Sequence, residues 1–476
     1  MISLDRRDWS ICAALFVFVS SVYFATFVGV TSSNDGSHYA LVRALVASRS
    51  FEISEYLSFT EFQDYSLNGD LRFSDRPPGT AFFAAPFYAF SRFFPEPVVV
   101  LPSKHDLGQP ALLGVGAATA VAAAAAVALL YLLLRKYFAI RNFGAVMTAL
   151  ALAFGTVMWK YGSVLYSHSV NALLVMVVLT LVVHILRTPN QHARYWPLLG
   201  LTIGATVLVE YTNFILALFL GIFLMVFIFR NVSKTERIRA ILALGMGTLI
   251  STGTLLAYNA LNFGGPFELS TFNVDTTIWP QNENFGSDFA TPLLVGLQGM
   301  LFWGSESQGL FVMTPIAVLG LPGWLILWKR SPRDLLLFGG LFVIMLFLFS
   351  KSTTFNSLTN DARYQTPFLS LWFLPVALSL DSLFAQPRKG MAQIWWFFLV
   401  FGLLFLSVRN VFWHIALSWN YDLDASQFLP TSVHADNLIY VISTVFPNAA
   451  NVWWLWWLQG LAFVIGWGAW KLRRAT

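Results

Sequence analysis

Residues 71–94 read LRFSDRPPGTAFFAAPFYAFSRFF. Two prolines and a glycine at 77–79 break any regular element. The apolar run that follows, 81–94, has the character of a membrane span, and whether it crosses decides the topology of everything after it. The chain around it is 57% hydrophobic and 11% charged over 476 residues, against about 25% charged in soluble domains. That deficit places the chain in a membrane. Its single cysteine, Cys12, excludes an intrachain disulfide. The opening MISLDRRDWS is a short basic flank. The apolar run after it has spanning length and ends without a small-residue cleavage pattern, so an uncleaved first helix is expected.

A spanning helix needs roughly 20 apolar residues. That rule predicts twelve spans, at about 9–31, 110–134, 142–159, 169–187, 196–210, 212–229, 239–261, 309–328, 334–350, 364–381, 392–413 and 451–470. The net charge of +5 matters less than where the charges sit. With the N-terminus in the cytoplasm, the cytoplasmic segments are Arg6–Arg7, LRKYFAIR, LRTPNQHAR, RNVSKTERIR, WKRSPRD, QPRKG and KLRR. They hold 19 of the 29 lysines and arginines and about five of the 24 acidic residues, as the positive-inside rule requires. If 81–94 crossed, every later basic loop would flip outside. It is therefore expected to lie in or dip into the outer leaflet.

The fold class expected is an all-α polytopic membrane protein, one integral-membrane unit over 1–476 with both termini cytoplasmic. Three long segments then face the exterior: 32–109, 262–308 and 414–450. Connections of that length in a compact protein are usually functional. Within the first, GSHYALVRALVASRSF carries apolar residues at helical spacing. It reads as an amphipathic helix lying along the outer membrane surface.

Candidate chemistry gathers on the exterior side. Where the first helix leaves the membrane, Asp35, His38 and Tyr39 are spaced to share one helix face. Asp35, at a membrane exit, could act as a general base; the same Ser/Asn/Asp run also reads as an N-cap cluster. Arg76 sits on the stiff Pro-Pro-Gly turn and could present its donor fork to a phosphate, or pair with Asp75. MWKYGSVLYSHSVN gathers Lys160, Tyr161, Tyr166 and His168 at one boundary. An aromatic belt accounts for Trp159, Tyr161 and Tyr166 but poorly for His168. LVEYTNF places Glu210 and Tyr211 in a tight turn. A carboxylate at a membrane edge is a functional candidate, or the partner of Lys160. NDARYQTPFLSL adds Asp361, Arg363 and Tyr364. No phosphate-binding glycine loop, HExxH, CxxC or GxSxG motif occurs. An exterior transferase has no nucleotide-sugar supply and needs a lipid-borne donor, whose phosphate Arg76, Lys160, His168 and Arg363 could hold.

Together these features resemble the GT-C glycosyltransferases, and within them the protein O-mannosyltransferase and aminoarabinose-transferase-like group. The family's first-loop Asp-Glu pair followed by Tyr-Ala is similar to NDGSHYA here, and its Lys-Pro-Pro-Leu turn to Arg76-Pro77-Pro78-Gly79. NDARYQTPFLSL is similar to the Arg-Tyr that opens a late helix, and GLFVMTPIAVLGLPG (309–323) to bacterial members. The resemblance implies a polyprenyl-phosphate-sugar donor, Asp35 as base on an acceptor hydroxyl, inversion at the anomeric centre, and Arg76 and Arg363 on the lipid phosphate with His38 beside them. It implies no cofactor. Asn34 stands where the family has its first acidic residue, which puts a divalent metal in doubt. The partners implied are that donor, a lipid, glycan or protein acceptor, and membrane lipids, with no nucleic acid; the implied location is the plasma (inner) membrane with the site on its exterior face. Two other readings compete: a twelve-helix transporter or lipid flippase, and another exterior transferase such as an oligosaccharide ligase. The unequal halves, with no long connection between helices six and seven, argue against a facilitator-type transporter.

Overall fold

The computed structural model describes residues 3–93, 109–188, 194–278, 289–302, 308–353, 361, 363–385 and 391–419, with residues 445, 446, 457, 459 and 460. The first helix, α1 (Arg6–Ala25), starts at a capping box. Asp5 accepts from the Asp8 backbone N–H at 2.8 Å and Asp8 from that of Asp5 at 3.3 Å, so two orphan donors are satisfied reciprocally. The chain continues through α2 (Ser33–Arg43), a 3₁₀ turn over Ser54–Thr60, and a hairpin of β1 (Tyr65–Asn68) and β2 (Leu71–Ser74). Next come α3 (Gly79–Ser91), α4 (Gln109–Phe138), α5 (Asn142–Phe154), α6 (Met158–Gly162) and α7 (Ser167–Arg187). Then follow α8 (Tyr195–Val209), α9 (Asn213–Asn231), α10 (Lys234–Phe263), α11 (Leu293–Leu301) and α12 (Leu310–Met313). The last described elements are α13 (Gly320–Arg330), α14 (Pro332–Ser350), α15 (Leu369–Ala385), entered through a 3₁₀ turn at Arg363–Phe368, and α16 (Met391–Trp419).

Among the described residues eight helices are long and apolar enough to cross a membrane: α1, α4, α7, α9, α10, α14, α15 with its 3₁₀ entry, and α16. Two shorter apolar helices, α5 and α8, pack among them. The chain is a multi-pass helical membrane protein. Two of the twelve expected spans are not continuous helices. The span expected at 142–159 is broken at Gly155 into α5 and the short α6. The span expected at 309–328 is broken at Thr314, whose φ of −126° and ψ of 71° precede Pro315, because proline excludes its predecessor from the helical region. The span expected at 451–470 falls largely outside the described residues.

Helices meet where side chains are small. Gly200 and Gly204 on α8 form a small-xxx-small stripe against α10; a Cβ at Gly200 would lie 2.0 Å from the Leu244 carbonyl oxygen. Such a stripe lets backbones approach where lipid supplies no hydrophobic drive. The Ser251 hydroxyl donates across the same seam to the Leu201 carbonyl at 2.7 Å.

The segment between α1 and α4 departs most from expectation. Helix α2 starts at Ser33, as the Ser/Asn/Asp run indicates, and most of it is covered by the rest of the chain. Residues 35–42 are all buried, under the 3₁₀ turn at 54–60 and α3. The approach is close enough that a Cβ at Gly36 would fall 1.7 Å from the Phe59 carbonyl oxygen. Helix α3 has 13 residues, about 20 Å at 1.5 Å per residue, too short for a bilayer core of about 30 Å. At its start Gly79 packs onto the end of α8, where a Cβ would sit 2.6 Å from the Leu208 carbonyl oxygen.

The predicted cytoplasmic end is stapled by one-to-one ion pairs. Arg135 Nε donates to Asp8 at 2.8 Å, and Arg141 Nε to Asp381 at 3.0 Å. Arg187 pairs with Asp334. Each joins helices distant in sequence and consumes an acidic residue that lies among the basic loops.

Candidate active site

At the opposite end of the bundle the charged groups form networks. The deepest centres on Asp361. Lys160 Nζ donates to its Oδ2 at 2.8 Å, the Tyr161 hydroxyl donates to its Oδ1 at 2.8 Å, and His414 Nε2 lies 2.8 Å from Oδ2 and 2.9 Å from Lys160 Nζ. Lys160 and Asp361 are both fully buried. Burial alone would raise the Asp361 carboxyl, but the Lys160 ammonium and His414 hold it well below the usual carboxylate range. The expectation that Lys160 pairs with Glu210 is corrected: a buried ammonium requires a charged partner, and Asp361 supplies it. Glu210 accepts instead from the Ser167 hydroxyl at 3.0 Å. The aromatic belt is corrected too. Trp159, Tyr161 and Tyr166 are all buried, and the Trp159 indole donates to Thr26 Oγ1 at 3.2 Å.

Asp35 is the third residue of α2 and closes its capping box. Its Oδ1 accepts from the Ser32 N–H and the Ser32 hydroxyl, both at 2.8 Å. Its Oδ2 accepts from the Thr31 N–H at 2.7 Å and the Thr31 hydroxyl at 3.2 Å. The carboxyl is fully buried. Burial pushes it up to about 6 against the pull of these four donors, close to where a base is useful. The two readings of this residue therefore coincide: it is a cap, and it is a carboxylate of raised basicity. The adjoining Ser32 hydroxyl lies 2.9 Å from the Tyr166 phenol, which brings the start of α2 against the start of α7.

Arg76 is held by two carboxylates. Its NH2 group donates to Asp64 at 2.8 Å, and its Nε lies 3.3 Å from Asp75. Burial opposes its charge, but Asp75 and Asp64 outweigh burial and raise it further, and the Arg363 guanidinium is near enough to act against them. Asp75 also accepts from the Ser37 hydroxyl at 2.9 Å. Burial pushes it up to about 7, Arg76 opposing and Asp64 adding to the rise. The Tyr211 phenol reaches Ser270 Oγ at 3.0 Å, and Ser270 donates to the Asp75 carbonyl at 2.8 Å. Tyr211 thus clasps the Arg76 turn.

Arg363 is held differently from Arg76. Its guanidinium lies 5.0 Å from the Tyr364 ring centre and 5.8 Å from that of Tyr166. It donates to the Tyr364 hydroxyl at 3.2 Å, and no carboxylate pairs with it among the described residues. Tyr364 is stacked on Phe349, with ring centres 5.0 Å apart. His168 packs edge-on against Tyr161 at 4.8 Å and stacks on Tyr166 at 5.8 Å. Its Nε2 is buried without a hydrogen-bond partner, as are His38 Nδ1 and Arg363 Nε. Burial, reinforced by Arg76, holds His38 down at about 3, so its imidazole is neutral. The fields of Arg76 and Arg363 both reach Glu210, and those of both arginines and Asp35 reach Tyr166.

The structure thus gathers Asp35, His38, Arg76, His168, Glu210, Tyr211, Arg363 and Tyr364 at one end, with Lys160 and Asp361 as a neutralised pair beneath. Sequence reasoning missed Thr31 and Ser32 as the partners of Asp35, although the Ser32-x-x-Asp35 spacing is a capping-box signature. It missed Asp64, and it missed the hairpin that carries Asp64 towards Arg76, signalled by Asn68-Gly69-Asp70 with Gly69 at φ 59°. For a divalent cation the donor set does not fit as arranged. The four hydrogen bonds into Asp35 occupy its lone pairs, and no group of three or more His, Cys, Asp or Glu among the described residues could hold a metal ion.

Residues 107–254 match the family model of dolichyl-phosphate-mannose-protein mannosyltransferases. No curated protein matches the chain in sequence. The fold is similar to that of ArnT from Cupriavidus metallidurans in the apo state, with a TM-score of 0.51 at 15% identity over 86% of this chain and 69% of that one. It is similar to the Archaeoglobus fulgidus oligosaccharyltransferase in the apo form, with a TM-score of 0.52 at 13% identity over 91% of this chain and 59% of that one. The same holds for archaeal AglB in complex with an inhibitory peptide and a dolichol-phosphate, at a TM-score of 0.52 and 13% identity, over 86% and 56%. The chain thus spans less than two thirds of the length of these oligosaccharyltransferases. The bundle has the GT-C fold these membrane transferases share, and its residues 107–254 carry the sequence pattern of the mannosyltransferase family.

Proposed function

We propose that this protein is a GT-C glycosyltransferase that takes a sugar from a polyprenyl-phosphate carrier and passes it, with inversion, to an acceptor hydroxyl. The reaction takes place at the end of the bundle opposite the basic loops, the exterior face of the plasma membrane, with both termini in the cytoplasm. The observation that carries this reading is Arg363: a cation with only aromatic and phenolic partners among the described residues, beside Arg76 and two imidazoles with unpartnered buried nitrogens. That surplus of donors fits a phosphate. Arg363 is the first phosphate ligand. Arg76, partly neutralised by Asp64 and Asp75, adds a second cation on the turn that Gly79 packs onto α8.

Cleavage of the anomeric C–O bond leaves negative charge on the phosphate. Fixed guanidinium donors in a site shielded from water stabilise that charge most where it develops. His38 and His168 are placed to bind the phosphate or the sugar without adding charge at neutral pH. Lys160, Asp361 and His414 brace the residues that lead into Arg363. Asp35 takes the acceptor proton while the acceptor oxygen attacks from the face opposite the phosphate. Holding the donor and acceptor in one pocket converts an encounter into an oriented reaction. This step uses no cofactor.

The experiment that tests it is incubation of the purified protein in lipid nanodiscs with a panel of polyprenyl-phosphate sugars and measurement of released polyprenyl phosphate. Turnover with at least one donor is expected. No turnover and no binding with any donor would return the chain to the transporter reading.

A further inference from the structure

The carboxylate placed to act as base is sealed. Asp35 is fully buried, and each of its oxygens already accepts two hydrogen bonds. A carboxylate has about four lone-pair positions, so none remains for an incoming hydroxyl. Ser32 is only half-buried, and its Oγ lies 2.8 Å from Asp35 Oδ1 and 2.9 Å from the Tyr166 phenol. A serine hydroxyl has one hydrogen and two acceptor lone pairs. That hydrogen is given to the carboxylate, so the phenol must donate to Ser32. Tyr166 remains protonated, since burial and the neighbouring Asp35 charge hold its phenol well above its ordinary value. One lone pair of Ser32 Oγ is left over, on the one side chain of this chain of hydrogen bonds that is not sealed.

We propose that Ser32 relays the proton of the acceptor hydroxyl to Asp35. The proposal rests on the glycosyltransferase reading with Asp35 as base. In the step, the acceptor O–H bond breaks and its hydrogen passes to Ser32 Oγ as the hydrogen of Ser32 passes to Asp35 Oδ1. The acceptor oxygen uses the freed electron pair to bond the anomeric carbon. The bond from that carbon to the phosphate oxygen breaks, and its electron pair leaves with the phosphate. Ser32 ends as it began, and Asp35 ends neutral until it returns the proton to water. Ser32 is a catalytic residue in this scheme. Tyr166 is a positioning residue: its hydrogen bond fixes the Oγ so that the free lone pair faces the acceptor.

The test compares wild type, Ser32→Ala, Ser32→Thr and Tyr166→Phe in nanodiscs, using the polyprenyl-phosphate sugar that wild type turns over. Donor affinity, kcat and the dependence of kcat on the deuterium fraction of the solvent are measured. Ser32→Ala is expected to lower kcat about 100-fold or more, the usual worth of a positioned proton-transfer group, with donor affinity within about twofold of wild type. Ser32→Thr, which keeps the hydroxyl, should recover most of that loss, and Tyr166→Phe should fall between. The wild-type rate should bow downwards against deuterium fraction, as two protons in flight require. A Ser32→Ala enzyme within about threefold of wild type would overturn the relay. So would a loss of kcat that donor affinity follows in proportion, or a strictly linear deuterium dependence. Absence of wild-type turnover with every donor would instead refute the functional reading, and the relay with it.

Discussion

The two ends of the bundle treat arginine differently. At the basic end Arg135, Arg141 and Arg187 each meet one carboxylate, Asp8, Asp381 and Asp334 respectively. At the other end Arg76 shares two carboxylates and Arg363 meets only tyrosines. The first arrangement ties helices together and leaves little charge over. The second leaves donors over, on a guanidinium fork and on the unpartnered nitrogens of His38 and His168. Matched charge marks structure, and surplus charge in a sheltered place marks a ligand. The basic loops are the more conspicuous in sequence, yet Arg135, Arg141 and Arg187 are spent on their own chain.

The largest effect on stability is expected where charge is most deeply buried. Asp361→Ala strands the Lys160 ammonium and should destabilise the fold by about 3–5 kcal/mol, whereas removing both charges as Asp361→Leu with Lys160→Met should recover most of that loss. Thermal unfolding in detergent reads both, and equal damage from the single and double variants would show that the pair is not what holds this end. For chemistry, Asp35→Asn should lower transfer about 100-fold or more while donor binding stays near normal; full activity would remove Asp35 from the site. Because Asp35 works as the ionised form and burial pushes it up to about 6, the rate should fall about tenfold per pH unit below 6 and level off above it. A rate independent of pH from 5 to 8 would sink that assignment. His38, neutral above about 3, should add no limb in this range. The smallest effect belongs to the basic end. The Arg141 side chain is 47% exposed, and Arg141→Ala should cost no more than about 1 kcal/mol with donor affinity unchanged; a loss of donor binding there would erase the distinction between the ends.

Much of the architecture was legible in the sequence. Hydrophobic length located most spans, charge asymmetry separated the basic end from the other, and the Ser/Asn/Asp run marked the start of α2. The short reach of 81–94 followed from consistency with the basic loops, and α3 has that shortness. What was illegible was set by packing between distant segments. Lys160 finds Asp361 rather than Glu210 because α6 and the turn before α15 meet in the core, 201 residues apart along the chain. Helix α2 reads as amphipathic by spacing, yet its residues 35–42 are all buried, with a 3₁₀ turn and α3 packed against them. The prolines of Arg76-Pro77-Pro78-Gly79 announce a stiff turn, but Asp64, which holds Arg76, arrives by a hairpin whose Asn-Gly signal is short. The sealing of Asp35 depends on Thr31 and Ser32, residues that alone look like ordinary cap formers.

The most direct measurement is the affinity of purified protein for a polyprenyl phosphate in nanodiscs, compared among wild type, Arg363→Ala and Arg141→Ala. Charge-assisted hydrogen bonds are each worth about 1.5–3 kcal/mol, so Arg363→Ala is expected to weaken binding by roughly tenfold to a hundredfold while Arg141→Ala binds as wild type does. Equal affinity in all three, or a loss confined to Arg141→Ala, would contradict the placement of the lipid phosphate at the end that holds Arg363.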